Sequence, residues 1–362
     1  MTRSTSVTRE QVLRFRVAAQ QLDRAGSHSD AAILDLGVQD TGPDGVQWAL
    51  GIRGTQVPDA DLVLAWSLRG APHAYRRAEA AQVAAAVAPW SDADAAKRIF
   101  DAARPLKQAG IPVRVALDHI AGEMRDIAAQ PVAKGDMSSE LTARLDEPYL
   151  RWCNPCQATH TYEQPFRLSA LQAGLELQPG TSPPVLHRIP GWRGPARSVP
   201  AHLDPVRAAL RLLGPADPKL VAGYVDSPVK EVRAHWPDDV VPVLVDGREL
   251  DVLADDLDAL ADPPGSGAVR LLGPFDLFLQ GRDRDLVVPD ETARKDLWRT
   301  LGRPGGVLAG GEVVGSWRPR SKGRRLRLAV TMWDGGAVPA GVADEAERLA
   351  AFRGQAFEGW ES

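Results

Sequence analysis

A short order of elements, helix, helix, then strands, recurs three times along this chain. It begins at Thr8-Arg9-Glu10-Gln11, which fits a capping box with Thr8 as N-cap and Gln11 at N3. Val12, Phe15, Ala19 and Leu22 follow at helical spacing. A second helix is expected over residues 31–37, with Gly37, Gly42 and Pro43 supplying the stop. Residues 59–67 read as a further helix, and Arg69-Gly70-Ala71-Pro72-His73-Ala74-Tyr75 as a turn into a strand. The order returns with helices over 115–129 and 138–145, a Lys134-Gly135-Asp136 turn between them, and broken strands over 149–177. It returns again with a helix over 205–213, another from Asp217-Pro218, a third over 229–236, and a strand over 240–247. Helix, helix, hairpin is the order of a winged helix. Three such units are therefore expected, over residues 1–102, 103–200 and 201–262. Their mutual similarity is too weak to establish a repeat.

Asp262-Pro263-Pro264-Gly265-Ser266-Gly267 reads as a linker. Beyond it, β-like runs at 269–272 and 325–331 predict a small β-rich domain over residues 263–362. The fold class expected is α+β. A chain of 362 residues has room for two or more cores, and its 29 Pro suit many short elements joined by stiff loops.

Charge bounds the partners. The net charge of −4 excludes a uniformly basic nucleic-acid coat, but net charge sums over unlike surfaces. Between Asp204 and Asp262 there are thirteen acids and six bases. Between Arg318 and Arg327 there are six bases (Arg318, Arg320, Lys322, Arg324, Arg325, Arg327) and no acid. Strand, basic turn, strand suits a hairpin laid against phosphates; a solvated hairpin tip is the plain alternative. Trp317 lies beside this run, and Arg188-Ile189-Pro190-Gly191-Trp192-Arg193 is a second basic-aromatic loop. Of the 43 cations 36 are Arg, whose planar fork suits phosphate and base edges, although a GC-rich genome also favours Arg codons.

Two Cys make no disulfide framework. Cys153-x2-Cys156 followed by His160 and Glu163 has zinc-type ligands, but sites on one short segment usually separate their ligand pairs more widely. Cys153 and Cys156 are expected as small buried groups of the second wing, with no metal and no cofactor. No stretch reaches 18 uncharged apolar residues, and the first residues carry no apolar signal core, so a cytoplasmic monomer is expected.

Several blocks, in order along almost the whole chain, resemble the AlkZ/YcaQ-type winged-helix DNA glycosylases. Leu271-Leu272-Gly273-Pro274-Phe275-Asp276-Leu277-Phe278-Leu279-Gln280-Gly281-Arg282-Asp283-Arg284, continuing to Val288-Pro289-Asp290, is similar to that family's LLP-FD-YLLG-RDR…VP segment. Val313-Val314-Gly315-Ser316-Trp317-Arg318 is similar to its VVG-TWR strand, Leu213-Gly214-Pro215-Ala216 to its FGPAT helix start, and Arg69-Gly70-Ala71-Pro72-His73 to its RGTLH wing. The resemblance implies three tandem winged helices and a C-terminal β-barrel-like domain forming a C-shaped, concave surface for double-stranded DNA. It also implies removal of alkylated bases, including N7-alkylguanines in interstrand crosslinks, in DNA repair or self-resistance.

An N7-alkylguanine is already a cationic leaving group. A glycosylase acting on it has mainly to place a water and stabilise an oxocarbenium-like sugar. In the family a polar pair flanking an aliphatic residue serves this purpose. The corresponding segment here is Gly37-Val38-Gln39-Asp40-Thr41, in which Gly37 departs from the pattern. Gln39 is expected to position the water with Asp40 as helper; a shifted pair, Gln39 with Thr41, and a plain turn capped by Asp40 remain open. Arg69 and His73 of the wing, with Thr41, Arg188, Arg193, Trp317, Arg318, Arg320, Lys322, Arg324 and Arg325, complete the expected DNA contacts. The competing functions are a non-catalytic winged-helix DNA-binding protein and a protein-binding module.

Overall fold

The structure, a computed structural model, describes residues 5–42 and 44–361. It divides into two compact units: Met1–Val57 with Arg207–Val221 and Pro237–Ser362, and Pro58–Val206 with Ala222–Trp236. Both are discontinuous in sequence, whereas the expected segments were consecutive.

In the first unit, the helix Arg9–Ala19 starts at the expected capping box. Thr8 accepts from the Gln11 amide and Gln11 accepts from the Thr8 amide. Its inner face carries Leu13 and Val17 into a core with Trp48, Phe278, Val307, Trp317 and Leu349. A five-stranded sheet anchors that core, in the order Val269–Leu272, Gly305–Ala309, Glu312–Lys322, Arg325–Met332, Ala356–Trp360. The first three pairings are antiparallel and the last parallel, with the helix Gly341–Phe352 between the two parallel strands as such a pairing requires. The five strands run in a linear order, as in an open, half-barrel form of the barrel-like domain expected. A smaller sheet pairs Thr5–Val7 with Val240–Val245, which pairs in turn with Arg248–Leu253.

The block that carried the family resemblance is scaffold. Asp276 is buried and receives both terminal nitrogens of the fully buried Arg53, at 2.8 and 2.9 Å. Asp283 receives the equally buried Arg16, at 2.5 and 3.2 Å. The indole N–H groups of Trp48 and Trp317 donate to the carbonyls of Leu271 and Leu272. Buried ions persist when geometry and extra hydrogen bonds satisfy them, and here each arginine also donates to backbone carbonyls.

In the second unit, the residues expected as a helix over 59–67 form a short 3-10 turn and then a strand, Leu62–Trp66, paired antiparallel with Pro72–Arg76. All five strand residues are buried. A strand covered on both faces reads as an unbroken apolar run, which periodicity cannot separate from a buried helix. The helix over 31–37, in the first unit, is only the 3-10 turn Ala32–Asp35, followed by the extended pair Val38–Gln39; Pro43 of its expected stop lies outside the described residues. The Lys134-Gly135-Asp136 turn is the opening of the helix Lys134–Arg144. Residues 149–177, expected as strands, hold the hairpin Leu150–Cys153/Ala158–Thr161, the helix Glu163–Gln172 and the strand Leu175–Leu177. That helix was masked by its mixed sequence: Phe166, Ala170 and Leu171 enter the core, while Glu163 and Arg167 pair on its outer side at i,i+4. The helix Val113–Ile127 and the helices Pro205–Leu213, Pro218–Val225 and Val229–Ala234 lie where expected to within a few residues.

Candidate functional site

A cavity of about 350 Å³ opens in the first unit, where five sequence-distant stretches meet, at residues 39–49, 273–276, 300–305, 317–319 and 353. Its wall includes Gln39, Thr41 and Asp44 from the first, Phe275 and Asp276 from the resemblance block, and Trp317 and Arg318 from the long strand. The Gln39 amide donates from Nε2 to Thr41 Oγ1 at 3.0 Å, so two side chains spaced by two residues lie together on the wall. Gly37 has φ of +86°, in the left-handed region. A side chain at that position would strain this backbone. Within residues 37–41, the side chains that line the cavity are those of Gln39 and Thr41.

Asp40 lies beside the cavity but is not among the residues that line it. Its Oδ1 accepts from the Val46 amide at 3.2 Å, at the start of the helix Gly45–Gly51. The fit is close: a Cβ on Gly45 would fall 1.9 Å from that oxygen. This is the turn-capping role that the sequence left open as the plain alternative. Two carboxylates line the wall: Asp276, held by the buried Arg53, and Asp44, gripped by both Arg353 Nε, at 2.6 Å, and the second guanidinium nitrogen of Arg353. Arg303 stacks over the Phe275 ring at 5.0 Å. Asp44, Phe275, Arg303 and Arg353 escaped sequence reasoning; only Phe275 stood in a recognisable block.

The basic hairpin borders this cavity. Pro319 lines both the cavity and a neighbouring hollow walled by Arg320, Ser321, Lys322, Arg325 and Arg327. The register sets Arg320 opposite Arg327 and Lys322 opposite Arg325, so with Arg318 five cations share one face. Leu326 and Leu328 fill the other face and are buried. Three of the cations are answered by carboxylates: Arg318 by Asp296 at 2.8 Å, Arg320 by Glu361 at 2.6 Å and Arg325 by Glu358 at 3.2 Å. Burial would raise the Asp296 carboxyl, but hydrogen bonds from Ser316 and Arg318 outweigh it and hold the group below the usual range. Lys322 and Arg327 are exposed, as is Arg324 at the tip. Trp317 is different: it is 1% exposed, a core residue whose indole N–H is used by Leu272, and not a stacking platform for bases.

In the second unit two expected DNA contacts are occupied by the fold. Arg69 stacks over the Tyr224 ring at 4.6 Å and donates to its carbonyl at 2.8 Å. His73 is 1% exposed, its Nδ1 lying 3.0 Å from the Ala71 carbonyl and 3.1 Å from Ser67 Oγ, while Nε2 has no partner. Burial, then the charge of Arg69, lowers its pKa to about 3, so the ring is neutral at ordinary pH. His73 is thus a core residue, while Arg69 is half-buried against Tyr224. Arg188 and Arg193 are exposed, and Trp192 between them packs against Gly174.

Cys153 and Cys156 are not the small buried groups expected. Cys153 is half-buried and Cys156 exposed, at the end of the hairpin Leu150–Cys153/Ala158–Thr161. The turn is too short to enclose them. The Cys156 amide and His160 lower the Cys153 thiol to about 7, and Cys153 in turn raises Cys156.

A family profile described as DNA glycosylase AlkZ-like matches residues 16–352. Among solved structures, the Streptomyces sahachiroi DNA glycosylase AlkZ is similar to this chain, with a TM-score of 0.72 over 99% of this chain and 100% of that one. The two sequences are 20% identical, so the likeness is one of fold. A search of curated protein sequences finds no match.

Proposed function

We propose that this chain, which belongs to the AlkZ-like DNA glycosylase family, hydrolyses the N-glycosidic bond of alkylated purines in double-stranded DNA. The observation that carries the reading is one cavity holding the Gln39–Thr41 pair and Arg318, bordered by the cationic face of the hairpin. In the reaction the bond from C1′ to N9 breaks and its electron pair neutralises the cationic base. Water held by Gln39 and Thr41 then adds to the oxocarbenium-like C1′ and loses a proton to solvent. No strong base is needed, because the leaving group carries its own charge. Asp44 supplies negative charge near the developing sugar cation. Asp40 acts at one remove, by fixing the start of the helix that carries Trp48 to the wall and that Asp44 immediately precedes.

No lysine lines the cavity among the described residues, which favours hydrolysis by water alone over a Schiff-base route. Arg320, Lys322, Arg324 and Arg325 contact phosphates, as do Arg188 and Arg193 on their loop. On this reading residues 1–102, 103–200 and 201–262 are the three winged helices. The middle one includes, in order, the helix Val113–Ile127, the strand Val132–Ala133, the helix Lys134–Arg144, the hairpin Leu150–Cys153/Ala158–Thr161, the helix Glu163–Gln172, and the strands Leu175–Leu177 and Val185–Arg188. The protein acts as a cytoplasmic monomer; no helix among the described residues is long and apolar enough to cross a membrane.

Gly37 favours a second reading, a protein that binds the lesion without cleaving it. Abasic-site formation on duplexes carrying N7-methylguanine, a bulky N7 adduct or a crosslink separates the two. Gln39→Ala is expected to slow base release by about 100-fold with binding retained. Equal rates in both proteins would remove Gln39 from the mechanism. Tight binding with no product on any duplex would establish the second reading.

A further inference from the structure

The hairpin Leu150–Cys153/Ala158–Thr161 projects a ligand set that the proposed reaction does not use. Cys153 Sγ, Cys156 Sγ and a ring nitrogen of His160 lie within 4.8 Å of one another. A tetrahedral zinc with sulfur bonds of about 2.3 Å holds two sulfurs about 3.8 Å apart, so small side-chain rotations close the set on a metal. The antiparallel register explains how so short a segment does this. Cys153 faces Ala158, and His160 is the diagonal neighbour on the same face, so two residues seven positions apart in sequence approach closely across the ladder. The wide gap usual between ligand pairs is unnecessary when the strand itself turns back.

Three further details fit a metal. Gln157, directly after the second cysteine, has φ of +49°, which turns the chain sharply around the two sulfurs. The Cys156 amide donates to Cys153 Sγ, as a backbone amide supporting a thiolate ligand would. His160 Nδ1 lies 2.9 Å from the Thr161 carbonyl. An acceptor there fixes the proton on Nδ1 and leaves Nε2 as the lone-pair atom, the outer-shell arrangement found at metal-ligating histidines. Lys134 and Arg151 line the same hollow, an electropositive setting for two thiolates. Glu163 also lines it, but is held by Lys134 at 2.8 Å and Arg167 at 2.5 Å, and so is not a fourth ligand.

We propose that Cys153, Cys156 and His160 bind a divalent zinc-type cation, with water in the fourth position, and that the metal fixes this exposed hairpin. The test uses the full chain, purified reduced, loaded with Zn²⁺ or Co²⁺ and freed of excess metal. Metal content, thiol titration and the cobalt–thiolate absorption are then measured. Expected are stoichiometric metal and a thiolate charge-transfer band. Cys156→Ser should abolish both, and His160→Ala should weaken binding by more than the roughly 10–100-fold that follows loss of an outer-shell partner. Because Cys156 is exposed, its substitution leaves the core intact, and unchanged far-ultraviolet dichroism confirms this. Less than about half an equivalent of metal with both thiols reduced overturns the proposal. So does metal that survives both substitutions, or a Cys153–Cys156 disulfide that persists under reducing conditions.

Discussion

Two hairpins in this chain carry charge at a turn, and they use it in opposite ways. In the hairpin Leu62–Trp66/Pro72–Arg76, Arg69 is folded onto Tyr224 and His73 is sealed in the core. In the hairpin Glu312–Lys322/Arg325–Met332, one face buries Trp317, Leu326 and Leu328 and the other holds five cations. The first strand is covered on both sides, so its polar groups must be satisfied by the protein. The second alternates, so its polar groups are left to solvent or a ligand. A basic residue near a turn is therefore left available to a ligand where strand alternation leaves its face open.

The largest effect that would test this contrast is on DNA affinity. Replacing Arg320, Lys322, Arg325 and Arg327 together by Ala should weaken binding about 1000-fold at 0.1 M salt and flatten the salt dependence by about three to four units of slope. Thermal stability should change little, because these side chains are exposed. An unchanged salt slope would mean that the open face is only a solvated surface.

Next comes a loss of stability in the other hairpin. Arg77 holds the buried Glu176 with two hydrogen bonds of 2.8 Å and also donates to the Ala60 and Leu62 carbonyls. Arg77→Ala should cost roughly 2–3 kcal/mol, since it strands a buried carboxylate, and should leave the salt slope alone. Denaturant unfolding and a binding titration check both halves. A lost salt slope with intact stability would reverse the comparison.

The smallest effect is a pH dependence. The folded state holds His73 neutral down to about pH 3, whereas the unfolded chain protonates it near 6.5. The unfolded state thus binds the extra proton in that window, and stability is complete above it and falls as pH drops below 6.5. Between pH 6.5 and 5 the loss should be roughly 1–2 kcal/mol. His73→Gln should be less stable than the parent at neutral pH, with a flatter profile over the same range. Parallel profiles for the two proteins would show that His73 carries none of the dependence.

Much of the local structure was legible along the chain. The capping box at Thr8, the Pro218 helix start, the strand over 240–245 and the basic hairpin all stand where local chemistry places them. The strand Leu62–Trp66 was not legible, because full burial erases the alternation that marks a strand. In the candidate site, Gln39 and Thr41 could be singled out by residue type and spacing, but Asp40 looked equally suitable. Its carboxylate is assigned to a helix start by the closeness of Gly45, which no spacing reveals. Asp44 and Arg353 carried no signal, since each is meaningful only through the other.

The sequence by itself determined the family, the caps and turns, and the alternation that makes one hairpin face cationic. These depend on neighbours within a few residues, or on blocks whose order along the chain is visible. Only the tertiary structure decided which charges are spent inside the fold. Arg16, Arg53, Asp276 and Asp283 look as reactive in the sequence as Gln39 or Arg318, yet they are buried pairs. Burial makes a charge costly unless its partner is at hand, and that partner comes from a distant part of the chain. The same long-range closure brought Gln39 and Arg318 to one cavity wall.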